Sequence, residues 1–220
     1  MDFTLTPNQA RIVGALMEKE FTTPEYCPLT LNSLKAACNQ KSNRDPVMTL
    51  DDKSLIRGLD ELRQIGLVYE KSTPGGRTFK YASRVMETFD LKLPEAVILC
   101  VALLRGPQTL GEFKTRTSRM YRFDSIDAVA DSLVALTKRD DEPLMIQLPK
   151  RPGNRENRNA HLLCGEIVIN DDPSPTPEPA RIEVMKENER IATLERQIET
   201  LTTELIELRD AFETFRKEFE

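Results

Sequence analysis

Apolar positions recur three and four apart between Pro7 and Glu20, where Ile12, Val13, Leu16 and Met17 share one side, and predict a first helix with a buried face. A second helix is expected over Leu31 to Cys38. A third opens with Thr49 and Asp52 in a capping arrangement, carries Leu55, Ile56, Leu59, Leu62 and Ile65 along one stripe, and ends at Gly66. The period then switches to that of strands. Val68 to Ser72 and Arg77 to Ser83 flank Thr73-Pro74-Gly75-Gly76, which reads as a hairpin. The same order repeats downstream. Pro94 and Glu95 open a helix carrying Val97, Ile98, Leu99, Val101, Leu103 and Leu104; a short helix follows near Thr109 to Arg116. A third, from about Ser125 to Arg139, is expected to turn Ile126, Val129, Ala130, Leu133, Val134 and Leu136 inward. The closing hairpin pairs Leu144 to Leu148 with Ala160 to Cys164 around a tip rich in Pro, Gly, Asn and Arg.

Helix, helix, helix, hairpin, read twice, is the order of a winged helix. The expected fold is mainly α with small β-hairpin wings, an α+β chain of two tandem winged-helix domains at residues 1–88 and 89–169. After Ile169 the pattern changes. Residues 170–180 alternate proline with polar residues, as an extended spacer does, and residues 181–220 are expected to form one helix of roughly 60 Å. Along it Ile191, Leu194, Ile198, Leu201, Leu205, Leu208, Phe212 and Phe215 repeat at steps of three and four. With Ile191 and Ile198 at a and Leu194, Leu201 and Leu208 at d, this seam suits a parallel two-stranded coiled coil, and pairing Arg190 with Glu195 and Glu204 with Arg209 is attractive. A homodimer is therefore expected. An intramolecular helix folded back onto the domains is the alternative.

Composition narrows the function classes. The chain has 220 residues and a formal net charge of −5, split into 24 basic against 22 acidic residues up to Asn170 and 7 against 14 beyond it. A near-neutral body with an acidic tail argues against indiscriminate nucleic-acid binding but leaves room for a local basic patch. No apolar run is long enough to span a membrane and no basic-then-apolar leader opens the chain, so a cytoplasmic location is expected. Cys27, Cys38, Cys100 and Cys164 are scattered, His161 is the only histidine, and no zinc spacing results. A phosphate loop, a nucleophile elbow and paired histidines are all missing from the sequence, so neither an enzyme nor a cofactor is expected.

The basic patch sits at the second hairpin tip, where Lys150, Arg151, Arg155 and Arg158 face the single acid Glu156. Guanidinium forks suit phosphate oxygens, and a wing commonly runs along the duplex backbone; a solvated tip would need charge just as much. The third helices advertise base reading less. Lys53, Arg57 and Arg63 are interleaved with Asp52, Asp60 and Glu61, and Asp127 and Asp131 sit on one side of the other. The densest polar run is Asn39-Gln40-Lys41-Ser42-Asn43-Arg44-Asp45-Pro46. It either satisfies its own long loop or forms a contact surface, with Lys41 and Arg44 the expected contacts.

With that run, the strings Glu18-Lys19-Glu20, Thr22-Thr23-Pro24-Glu25-Tyr26, Leu104-Arg105-Gly106-Pro107-Gln108-Thr109 and Leu148-Pro149-Lys150-Arg151-Pro152-Gly153 resemble the bacterial YceH family of uncharacterised proteins, over about the first 165 residues. The resemblance implies a tandem winged-helix fold in a bacterial cytoplasmic protein and transfers no catalytic or binding residue; the proline run and heptad segment lie outside it. Two functions are carried forward: a non-enzymatic, regulator-like protein binding duplex DNA, and a winged-helix scaffold that docks a protein partner without DNA.

Overall fold

The structure is a computed structural model that describes residues 3–72, 78–139, 141–150 and 156–165. Residues 73–77 at the first hairpin tip, Arg151 and Arg155, the proline run and every heptad position named above lie outside the described residues.

Seven α-helices and two small antiparallel sheets are present among the described residues. In chain order they are α1 (Pro7–Thr22), β1 (Leu29–Thr30), α2 (Leu31–Cys38), α3 (Asp52–Gln64), β2 (Val68–Ser72), β3 (Phe79–Ser83), α4 (Val85–Thr88), α5 (Leu93–Arg105), α6 (Leu110–Thr117), α7 (Ile126–Thr137), β4 (Met145–Gln147) and β5 (Asn159–His161). The first sheet runs β1-β3-β2, with Val68 opposite Ser83 and Leu29 opposite Tyr81; in the second, Met145 faces His161.

Local chemistry sets the helix ends. Thr6 and Gln9 form a reciprocal capping box at the start of α1, the Gln9 side chain accepting from the Thr6 N–H at 2.7 Å. Thr109 and Glu112 do the same for α6. For α3 the cap is Asp51, whose carboxylate accepts from the Ser54 N–H at 2.8 Å; Thr49 lies outside the helix, so the predicted capping pair is displaced by two residues. Gly66 follows α3 with φ +78°, the left-handed conformation that closes a helix without a Cβ penalty.

Packing corrects the predicted stripes. On α3 the buried positions are Leu55, Gly58, Leu59 and Leu62, while Ile56 is 45% exposed, a third of a turn from that row. On α7 only Val129, Leu133 and Leu136 are buried, leaving Ile126 49% and Val134 48% exposed, because a helix on the rim of a core buries a narrow seam. The second hairpin is shorter than predicted, since the chain turns at Leu162 to Gly165 and Leu163 accepts from the Leu5 N–H at 2.7 Å. Strand β1 was not legible in the sequence.

The centre of the fold is α1, buried continuously from Gln9 to Met17. One side takes Ile12 against α3, and the other meets α5 where the Cys100 thiol donates to the Gly14 carbonyl at 3.4 Å. A Cβ on Gly14 would lie 3.0 Å from the Leu104 side chain, so glycine permits this helix approach. Both copies of the helix-and-hairpin order thereby share one apolar core, running from Leu5 through Leu104 to Leu163.

Candidate nucleic-acid interface

The polar loop between α2 and α3 is held at both ends and from beneath. The Asn39 amide donates to the Leu50 carbonyl at 2.9 Å and accepts from the Leu50 N–H at 2.8 Å, closing the loop like a strand pair. Beneath it lie two buried guanidiniums. Arg11 donates to the carbonyls of Cys38 and Pro46 at 3.2 and 2.6 Å. Arg44 donates to the carbonyls of Ala37 and Asn43 and forks onto Glu18, with Nη1–Oε1 at 3.1 Å and Nη2–Oε2 at 2.5 Å. Its side chain is 0% exposed and that of Glu18 13%. Arg44 is therefore an anchor of the loop rather than a contact on its surface, which corrects the sequence expectation: every N–H that would meet a phosphate is committed inward.

The loop also reaches the second repeat. The Asp45 N–H donates to the Leu104 carbonyl at 2.9 Å, and the Arg105 guanidinium donates to the Asn43 side-chain oxygen. Between these elements opens a cleft of about 620 Å³, walled by the end of α1, loop residues Gln40 to Asn43, the end of α5 and the end of α6. Five cations line it: Lys19, Lys41, Arg105, Arg116 and Arg119. Among the described residues the one lining carboxylate is Glu18, whose charge Arg44 already holds. Burial, with the neighbouring Arg116 charge next, pulls the Arg105 pKa below its ordinary value. Arg116 keeps a loose partner in Glu112 at 3.6 Å. An anion entering the cleft would meet several donors in a half-enclosed setting.

Of the residues singled out from sequence, Lys41 is exposed on this cleft and Lys150 is exposed on the stem of the second hairpin. Arg158 is otherwise engaged: it donates to the Pro107 carbonyl at 2.8 Å and forks onto Glu112 at 3.0 and 3.3 Å, tying the hairpin to the start of α6. It shares Glu112 with Arg116, and its side chain is 41% exposed. The cleft cations Lys19, Arg105, Arg116 and Arg119 were missed because they come from three separate segments; the only sequence signal was Arg116 and Arg119 three apart at a helix end.

On α3 the two arginines are paired, Arg57 with Glu61 at 2.9 Å and Arg63 with Asp60 and Glu70 at 3.4 and 2.9 Å. The outer side of α7 sets exposed Ile126 and Val134 among Asp127 and Asp131. Among the described residues no group of His, Cys, Asp and Glu is placed to hold a metal, all four cysteines are free thiols, and no helix is long and apolar enough to cross a membrane.

A family model described as "Protein of unknown function, DUF480" matches residues 5–154, which include the polar loop and the whole cleft. The chain belongs to the DUF480 family. UPF0502 proteins of Geotalea uraniireducens and Geobacter metallireducens are 46% and 47% identical to it, each alignment covering all of both chains. A UPF0502 protein of Vibrio vulnificus is 42% identical over 93% of this chain and 95% of its own. The alignments with the first two run through the proline run and heptad segment, so likeness to DUF480 relatives extends beyond the family model and beyond the resemblance read from sequence.

Proposed function

We propose that this DUF480 protein is a non-enzymatic, regulator-like, tandem winged-helix protein that binds the phosphate backbone of duplex DNA through its cleft. The observation that carries the reading is the convergence of Lys19, Lys41, Arg105, Arg116 and Arg119 on one concave surface without a free carboxylate among the described residues. The repeated order of three helices and a hairpin supports the winged-helix assignment. In this reading the heptad seam joins two bodies into a cytoplasmic homodimer, which suits a paired DNA site. Sedimentation of the full chain and of a chain ending at Asn170 tests that part: dimer and monomer are expected, and monomer in both removes the coiled coil.

The DNA test is fluorescence anisotropy on a labelled mixed-sequence duplex at low and near-physiological salt. Affinity should fall steeply with salt, and Lys41→Gln with Arg119→Gln together should reduce the log–log salt slope by about 2. Absence of binding at low salt sinks the reading, and an unchanged slope in the double variant removes the cleft from it.

A second reading, a protein-docking scaffold, is favoured by the exposed apolar and acidic side of α7, which repels phosphates. It predicts a partner retained through nuclease treatment and lost on Ile126→Ser with Val134→Ser. A partner that both treatments leave in place counts against it.

A further inference from the structure

On the other side of the polar loop lies a second cavity, of about 310 Å³, near the lower end of ligand-pocket sizes. Its walls are largely apolar, contributed by Ala10 of α1, Met48, Leu103 of α5, and Ala160 of β5 with Cys164 beyond it. Four titratable groups stand among them: Arg11, His161, Cys164 and, at the exposed rim, Asp45.

Arg11 is 2% exposed, yet its hydrogen bonds go only to the neutral carbonyls of Cys38 and Pro46, and its Nε–H has no partner. The neighbouring buried guanidinium, Arg44, has a carboxylate in Glu18; Arg11 has none among its bonds. A buried cation without a bonded counter-ion is costly, and fully satisfied buried polar groups are the rule. His161 Nδ1 is a second buried atom without a partner. Burial alone drives the imidazole pKa down to about 4, so the ring is neutral near pH 7 and free to donate or accept one hydrogen bond.

We infer that this cavity is a binding site for a small organic acid, its carboxylate lying beside the Arg11 guanidinium and the His161 imidazole while its apolar body lies on Ala10, Met48, Leu103 and Ala160. The anion adds to the counter-charge that Asp45 and Glu18 bring to Arg11 only through space. Asp45 opposes it weakly, because an exposed carboxylate is screened by solvent and salt. The site is separate from the cationic cleft and does not rest on the DNA reading.

His161 is the only histidine in the chain, so its ring protons give an isolated NMR probe of the cavity. Full-length protein is titrated with sodium octanoate to about 10 mM, a range that detects weak ligands, and in parallel with octanol. The expected result is a saturable displacement of the His161 Hε1 resonance by octanoate and at least tenfold weaker binding of octanol, about the loss of one charged hydrogen bond. By calorimetry His161→Phe, which keeps the ring volume, should weaken octanoate about tenfold for the same reason. Met48→Trp, at a half-buried wall position, should obstruct the body and abolish the displacement. No displacement in the native protein, equal binding of octanol, or undiminished octanoate binding to Met48→Trp each overturns the proposal. Octanoate binding that leaves the His161 resonance unmoved places the anion in the cationic cleft and overturns it as well.

Discussion

Replacing Arg44 by methionine separates an anchor from a surface contact, because the two roles predict opposite results. Methionine keeps an apolar stem of similar reach and removes the guanidinium. Lost with it are the two-pronged contact to Glu18 and the donors to the Ala37 and Asn43 carbonyls. Glu18, 13% exposed, loses its bonded partner and keeps only the cations across the cleft, and breaking a buried pair on one side costs up to about 3–5 kcal/mol. For a body of this size that is a fall in melting temperature of roughly 10 °C. Urea unfolding followed by circular dichroism measures it. Adding Glu18→Met to the same chain should recover most of the loss, since a well-packed apolar pair commonly equals a buried ion pair. A cost below about 1 kcal/mol, the range of exposed pairs, together with weakened duplex binding by a fully folded variant, would refute the anchor and return Arg44 to the surface.

Gly14→Ala should destabilise by about 1–3 kcal/mol through the 3.0 Å clash with Leu104, partly offset by a gain of about 1 kcal/mol in helix propensity. Gly58→Ala meets only the flexible end of Ile12, so a smaller urea-midpoint shift is expected there. His161 has its folded pKa depressed from 6.5 to about 4, so the unfolded chain binds the extra proton first, and stability present above pH 6.5 is lost as pH falls towards 4. That contribution is about 3 kcal/mol, and the urea midpoint of His161→Phe should be flatter across this window; an equally steep profile refutes it. Burial raises the Cys38 thiol to about 12 and Cys100 well above its ordinary value, so a thiol reagent should label neither until the chain unfolds, as peptide mapping after native labelling would show.

What the sequence by itself determined is the order of elements and most of their limits. Helix α2 occupies the predicted residues, Pro94 and Glu95 open α5, and Gly66 ends α3, because periodicity, first-turn proline, capping side chains and glycine act within a turn or two of chain. Likeness to a family of uncharacterised bacterial proteins was legible for the same reason, in short contiguous strings. Only the tertiary structure decided the rest. An arginine reads as a surface contact until its counter-charge is located, and Glu18, 26 residues before Arg44, is brought to it by folding alone. Ile56, Ile126 and Val134 look like core until the narrow arc covered by neighbouring elements is known. The five cleft cations share a wall because glycine at position 14 lets α1 and α5 meet closely and the Asn39-to-Pro46 loop bonds across to Leu104 and Arg105. Local propensity carries no information about approaches between segments roughly a hundred residues apart; packing and paired charge supply it.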